Sequence, residues 1–166
     1  MHSGLILKGE MIIKNSTKAA VIYEKGAPDV FKWEDIEVPN PTKKEVRLKN
    51  TAVGVNYIDT YHRRGIPHPW AVPELPIVLG IEGIGIVEET GSEVTEFSIG
   101  DRVGYALPPH GAYSEERVYP VEKLIKIPDT LSNQSDQDLA ALMLKGLTAQ
   151  FLLRRTYFVK PGDIIL

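Results

Sequence analysis

Fourteen glycines and twelve prolines cut this 166-residue chain into short apolar runs, and that punctuation limits its fold more than any other feature. Short apolar-rich runs between turn signals predict an antiparallel β architecture rather than long helices. Strands are expected over 18–23, 30–38, 45–55, 77–90, 102–106, 111–119 and 121–127. In the third of these, Val46 and Leu48 alternate with Arg47 and Lys49, the two-residue period of a half-buried strand. Six or seven such strands at this spacing predict a closed or partly closed barrel.

Two regions depart from that period. Asn56 with Asp59 three residues on is a capping box, His62, Arg63 and Arg64 fill a last turn, and Gly65 supplies a stop, so a short helix is expected there. Ser135 and Asp138 form a second box, followed by Leu139, Leu142 and Met143 at helical spacing. Gly146 is expected to interrupt this helix, with another over 147–157. Between the first helix and the fourth strand, Pro67, His68, Pro69, Trp70, Pro73 and Pro76 read as a rigid surface loop.

Charge and cysteine content remove several function classes. Nineteen basic against 22 acidic residues give a net charge of -3, with no basic excess to neutralise phosphates, so nucleic acid is not the expected partner. Cysteine is absent, which removes disulfides, thiolate nucleophiles and zinc sites built on sulfur. Cytoplasmic residence fits that composition. No apolar run approaches the ~20 residues that cross a bilayer. At the start, Leu5-Ile6-Leu7 and Met11-Ile12-Ile13 are separated by Lys8-Gly9-Glu10, too broken for a signal-peptide core, and Met11 is a candidate start.

Near the other end, Pro161-Gly162-Asp163 turns the chain into Ile164-Ile165-Leu166, read as the beginning of an apolar strand. Such a strand is stable only against a sheet, so the expectation is a truncated chain. The expected organisation is an extension over 1–17, a β domain over 18–134, and a helical linker leading toward a further domain over 135–166.

Three motifs carry a family resemblance. They are Gly54-Val55-Asn56-Tyr57-Ile58-Asp59-Thr60-Tyr61; Gly80-Ile81-Glu82-Gly83-Ile84-Gly85-Ile86-Val87 with Gly100-Asp101-Arg102-Val103; and Leu144-Lys145-Gly146-Leu147-Thr148-Ala149. With them the chain from about Lys18 onward resembles the N-terminal, GroES-like catalytic half of zinc-independent NADPH:quinone oxidoreductases, in the medium-chain dehydrogenase/reductase superfamily. The resemblance implies a partly open β-barrel, two C-terminal helices, and the first strand of a Rossmann domain that is otherwise missing. It implies NADPH as hydride donor and a quinone or other electron-poor carbonyl as acceptor. A separately encoded Rossmann half is one candidate partner to complete the enzyme, and this chain alone is expected to bind NADPH weakly or not at all and to be inactive. Ile81 stands where zinc-dependent relatives carry a histidine, and it has no lone pair to offer a metal, so no metal site is expected.

By the same resemblance Tyr61 and Asn56 are the candidate catalytic residues, and Asn56, Tyr57, Ile58, Tyr61, Lys145 and Thr148 the candidate cofactor contacts. Each has a plainer reading. Asn56 is already explained as a helix cap. Tyr61, Tyr57 and Ile58 suit a helix packed on the barrel. Lys145, a candidate phosphate partner, is of a type more often solvated, and Thr148 could bond local backbone. The position that is aromatic in bacterial members is Pro67 here, which leaves acceptor specificity open, with Trp70 nearby.

Gly80, Gly83 and Gly85 do not form a dinucleotide fingerprint, because Glu88 stands at the sixth position and a strand follows. They are read as close-packing glycines. Glu82 is read as a buried structural acid paired with Arg102, and His62, His68 and His110 as separate surface or capping residues. The competing function readings are a non-catalytic GroES-like scaffold module and the product of a split or decayed gene.

Overall fold

The computed structural model describes residues 16–67 and 74–165. The readings that concern residues 1–15, His68, Pro69, Trp70, Pro73 and Leu166 lie outside that set. Among the described residues the strands are β1 (Ser16–Ile22), β2 (Phe31–Glu37), β3 (Glu45–Gly54), β4 (Ile77–Val78), β5 (Glu82–Thr90), β6 (Arg102–Tyr105), β7 (Glu116–Pro120) and β8 (Ile125–Lys126). Helix α1 (Tyr57–Arg64) follows β3, and helix α2 (Asp136–Phe151) follows β8.

All pairings are antiparallel, in two sheets of order β2-β1-β4 and β7-β3-β5-β6-β8. The sheets are open rather than closed into one barrel. They are stitched where β1 runs beside 113–115: Ala19 bridges Ser114, Ala20 N–H donates to Tyr113 O at 2.8 Å, and Glu115 N–H to Lys18 O at 2.9 Å.

The alternation expected in β3 is realised. Val46 and Leu48 are fully buried with Val87, Val103, Tyr105 and Tyr119, while Arg47 turns to Glu89. Each such apolar side chain contributes roughly 1.5–3 kcal/mol, which makes this the main core.

The expected strand over 77–90 is in fact two. Gly80 adopts φ +85° between them, and its carbonyl accepts from Gly111 N–H at 3.0 Å and Ala112 N–H at 3.1 Å. Leu79 and Ile81 are apolar because they are buried in this irregular corner, not because they belong to a ladder. Residues 111–115 are likewise a bent connection, with Gly111 at φ +124°, so the seventh strand starts only at Glu116.

Helix α1 carries its capping box and ends on Gly65 at φ +69°, a left-handed stop that favours glycine. Helix α2 starts on Ser135, whose Oγ accepts from Asp138 N–H at 3.1 Å. Gly146 does not interrupt it. An internal glycine costs only about 1 kcal/mol relative to alanine, too little to end a helix whose neighbours propagate it. The helix runs on to Phe151 and widens into one π-type turn over Leu152–Thr156, replacing the second helix expected there. Ala140 is buried on Ile84 and Ile127, with Ala52, Leu139 and Met143 packed around it, which seats α2 on the sheet. Ile164 and Ile165 form no strand and are 88% and 59% exposed.

Candidate functional site

The site is assembled where β3 ends, β5 begins and α2 crosses. Gly54 pairs with Glu82, and a Cβ on Gly54 would lie 2.0 Å from Glu82 Oε2 and 2.7 Å from the Ala140 carbonyl. Only glycine leaves room there for the carboxylate. Glu82 is completely buried, a costly place for a charge without partners.

Its partners are at hand. Oε1 accepts from the backbone N–H of Leu144 at 2.5 Å, and Oε2 accepts from Asn56 Nδ2 at 2.7 Å and Lys145 Nζ at 3.2 Å. Lys145 Nζ also donates to Asn56 Oδ1 at 3.0 Å and the Val55 carbonyl at 3.4 Å. The expected pairing of Glu82 with Arg102 is therefore wrong. Arg102 lies at the start of α2, where Nε donates to Asp136 Oδ1 at 2.6 Å and Nη2 to Gln134 O at 2.7 Å.

Over this buried knot lies a groove of about 500 Å³. It brings together Asn56, Tyr57, Ile58, Lys145 and Thr148, with Leu144 and Leu152 adding apolar wall. Tyr61 is not on that lining. It stands one turn behind, its ring edge-on to Tyr57 with centroids 5.2 Å apart. Asn56 does more than cap: Asp59 accepts its backbone N–H at 2.9 Å, while its side-chain amide faces Glu82 and Lys145. Thr148 Oγ1 donates to the Leu144 carbonyl at 2.7 Å, the local backbone bond of its plainer reading, and still borders the groove.

A second polar cluster supports α1 from below. Asp59 is buried, and its carboxylate also accepts from Tyr113 Oη at 2.8 Å. Burial pushes the Asp59 pKa up, against the pull of its hydrogen bonds. Burial, and then the neighbouring Asp59 charge, also raise the Tyr113 phenol well above its ordinary value.

His62 and His110 are not separate surface residues. His62 is 3% exposed, and its Nδ1 sits 3.1 Å from His110 Nε2. Burial, with smaller contributions from His62 and Arg117, pushes His110 down to about 4. Sequence reasoning missed this pair, Tyr113 and the Leu144 N–H. No local spacing signals any of them, because each partner comes from a distant part of the chain.

Residues 42–129 match the alcohol dehydrogenase GroES-like domain. The chain is 59% identical over 148 residues to a 2-haloacrylate reductase of a Burkholderia species, spanning 89% of this chain and 44% of the relative. It is 49% identical over 141 residues to a quinone oxidoreductase of Pseudomonas aeruginosa, spanning 85% of this chain and 42% of the relative. In fold it is similar to the crystal structure of Escherichia coli quinone oxidoreductase complexed with NADPH, with a TM-score of 0.81 and 38% identity over 88% of this chain and 43% of that one. The chain thus spans less than half the length of the relatives it matches.

Proposed function

This chain belongs to the alcohol dehydrogenase GroES-like domain family, within the medium-chain dehydrogenase/reductase superfamily, and from that premise we propose that it forms the substrate-side part of an NADPH-dependent, zinc-free reductase of quinones or other electron-poor carbonyls. Residues 18–134 are the catalytic unit in this reading, and 135–166 lead toward the nucleotide-binding part, whether carried on the same or a separate polypeptide. The observation that carries it is the convergence of Asn56, Tyr57, Ile58, Lys145 and Thr148 on one groove from two distant stretches of chain.

The groove suits the nicotinamide end of the cofactor and not the whole of it. Its volume of about 500 Å³ accommodates one flat ring with its sugar, and it offers aromatic and aliphatic walls beside a few fixed polar groups. No glycine-rich strand-to-helix turn stands among the described residues to hold a pyrophosphate. When bound, the nicotinamide supplies the hydride. The chain's own residues then have three tasks: to seat the ring, to orient the acceptor against it, and to bond polar atoms at the ring edge.

Tyr57, 74% exposed and braced edge-on by Tyr61, supplies a flat surface for stacking. Asn56 supplies the polar anchor at the groove floor. Ile81, fully buried and without a lone pair, stands behind the absence of a metal from this reading. The names of the relatives favour acceptors with a carbonyl conjugated to a double bond, which a quinone and an acrylate share.

Chemical-shift mapping tests the reading. Adding NADPH to the isotopically labelled chain should move the amide signals of Asn56, Tyr57, Ile58, Lys145 and Thr148 together. Perturbations confined to the separate groove lined by Trp33 and Val53 would refute it.

A further inference from the structure

We infer that Lys145 is a positioning residue and not a ligand contact: with Glu82 it fixes the side-chain amide of Asn56 at the floor of the groove. The inference rests on the reading that this groove receives the nicotinamide end of the cofactor. It reassigns Lys145, which the sequence alone puts forward as a cation for a phosphate.

An ammonium has three N–H donors and no acceptor. Around Lys145 Nζ stand three acceptors, Asn56 Oδ1 at 3.0 Å, Glu82 Oε2 at 3.2 Å and the Val55 carbonyl at 3.4 Å, so every hydrogen has a partner within the protein. A phosphate would have to displace one of them. It would also approach a cation already neutralised by a carboxylate, and that carboxylate cannot swing away. Glu82 is fully buried, tied to the Leu144 N–H and enclosed by the Cβ-less face of Gly54.

The same contacts act on Asn56 from both ends. Its Nδ2 donates to Glu82 at 2.7 Å, and its Oδ1 accepts from Lys145. Reversing the amide would set oxygen against carboxylate and NH₂ against ammonium, two repulsive contacts for two attractive ones. The pair of opposite charges therefore selects one sense of the amide. Asp59 holds the backbone N–H of the same residue at 2.9 Å, so main chain and side chain are both fixed. The capping box engages Oδ1 as well, so one Nδ2 hydrogen remains, a donor held in place before any ligand arrives. Such preorganisation is what a supporting shell contributes to a binding group.

The test uses the full 166-residue chain with Lys145→Met, which keeps the stem and removes the charge, and Glu82→Gln, which keeps the shape. In the parent, the two Asn56 side-chain amide protons should be well separated and slow to exchange. In either variant they should move toward free-asparagine positions and exchange roughly tenfold faster. Binding is then compared for NADPH and for 1-benzyl-1,4-dihydronicotinamide, which has no phosphate. Lys145→Met should weaken both by the same factor, roughly tenfold. Unmoved Asn56 signals in Lys145→Met, or a loss confined to NADPH, would overturn the inference. If the parent binds neither probe, the functional reading above fails, while the Asn56 signals still decide whether the latch exists.

Discussion

Helix α1 hides polar side chains, whereas helix α2 shows apolar ones. In α1 the buried residues are Asp59 and His62, and each is met by a group from the 110–113 connection. In α2 only Ala140 is buried, while Leu142, Leu147 and Phe151 are 62%, 47% and 57% exposed. Phe158, further on, is 70% exposed. A face of that kind usually marks a contact surface, and the relatives carry more polypeptide than this chain spans. The difference teaches how unevenly the site is held: Asn56 is tied to β5 and α2 through Glu82 and Lys145, while α2 has one side seated on the sheet and another bare.

If the two helices are joined through Glu82, the largest effect should come from the residue that makes room for it. Gly54→Ala places a Cβ 2.0 Å from Glu82 Oε2 and 2.7 Å from the Ala140 carbonyl, and backbone on that side cannot yield cheaply. We expect a loss of about 3 kcal/mol in urea unfolding. A cost near zero would mean that α2 does not sit on β3 as described.

Acid should probe the α1 side next. The folded His110 pKa, about 4, lies below its ordinary 6.5, so its neutral form contributes stability that is present above about pH 6.5 and lost as pH falls toward 4. The groups facing it are His62 and Arg117, and Asp59 lies beyond His62. Asp59 acts in the opposite sense: its raised pKa means that protonation on folding favours the native state at low pH, which partly offsets the loss. Allowing for the partial exposure of His110, the expected loss is about 1–2 kcal/mol. His110→Gln should flatten the stability profile across that window, and an unchanged slope would remove the histidine pair from the account.

The α2 side should respond least. Phe151→Ser should change unfolding stability by no more than about 1 kcal/mol, because more than half of that residue is already exposed, yet reduce binding of an apolar dye. A large destabilisation would show that the face is covered after all.

These contrasts follow what was legible in the residues. Local rules read well: the Val46 and Leu48 alternation, the Asn56–Asp59 box, the Ser135 cap and the Gly65 stop all appear where spacing puts them, although the return half of a Ser135–Asp138 box does not. The apolar corner at Leu79–Ile81 misled, since burial in a bend and burial in a strand select the same residue types. Gly146 misled because helix continuity outweighs the small cost of one glycine. Glu82 could be recognised as a buried acid from its apolar neighbours, but its partner Lys145 is 63 positions away, and nothing nearby in sequence distinguishes it from Arg102. The His62–His110 contact was illegible for the same reason.

The central claim of the proposed function is that these residues supply the nicotinamide-facing wall of a reductase, with the contacts to the rest of the dinucleotide lying outside them. Fluorescence titration of the isolated chain with NADPH tests it most directly. The account predicts weak but detectable binding, no tighter than about 0.1 mM and worth only some 5 kcal/mol, with no turnover of an added quinone. Submicromolar binding, or steady oxidation of NADPH by quinone, would contradict it.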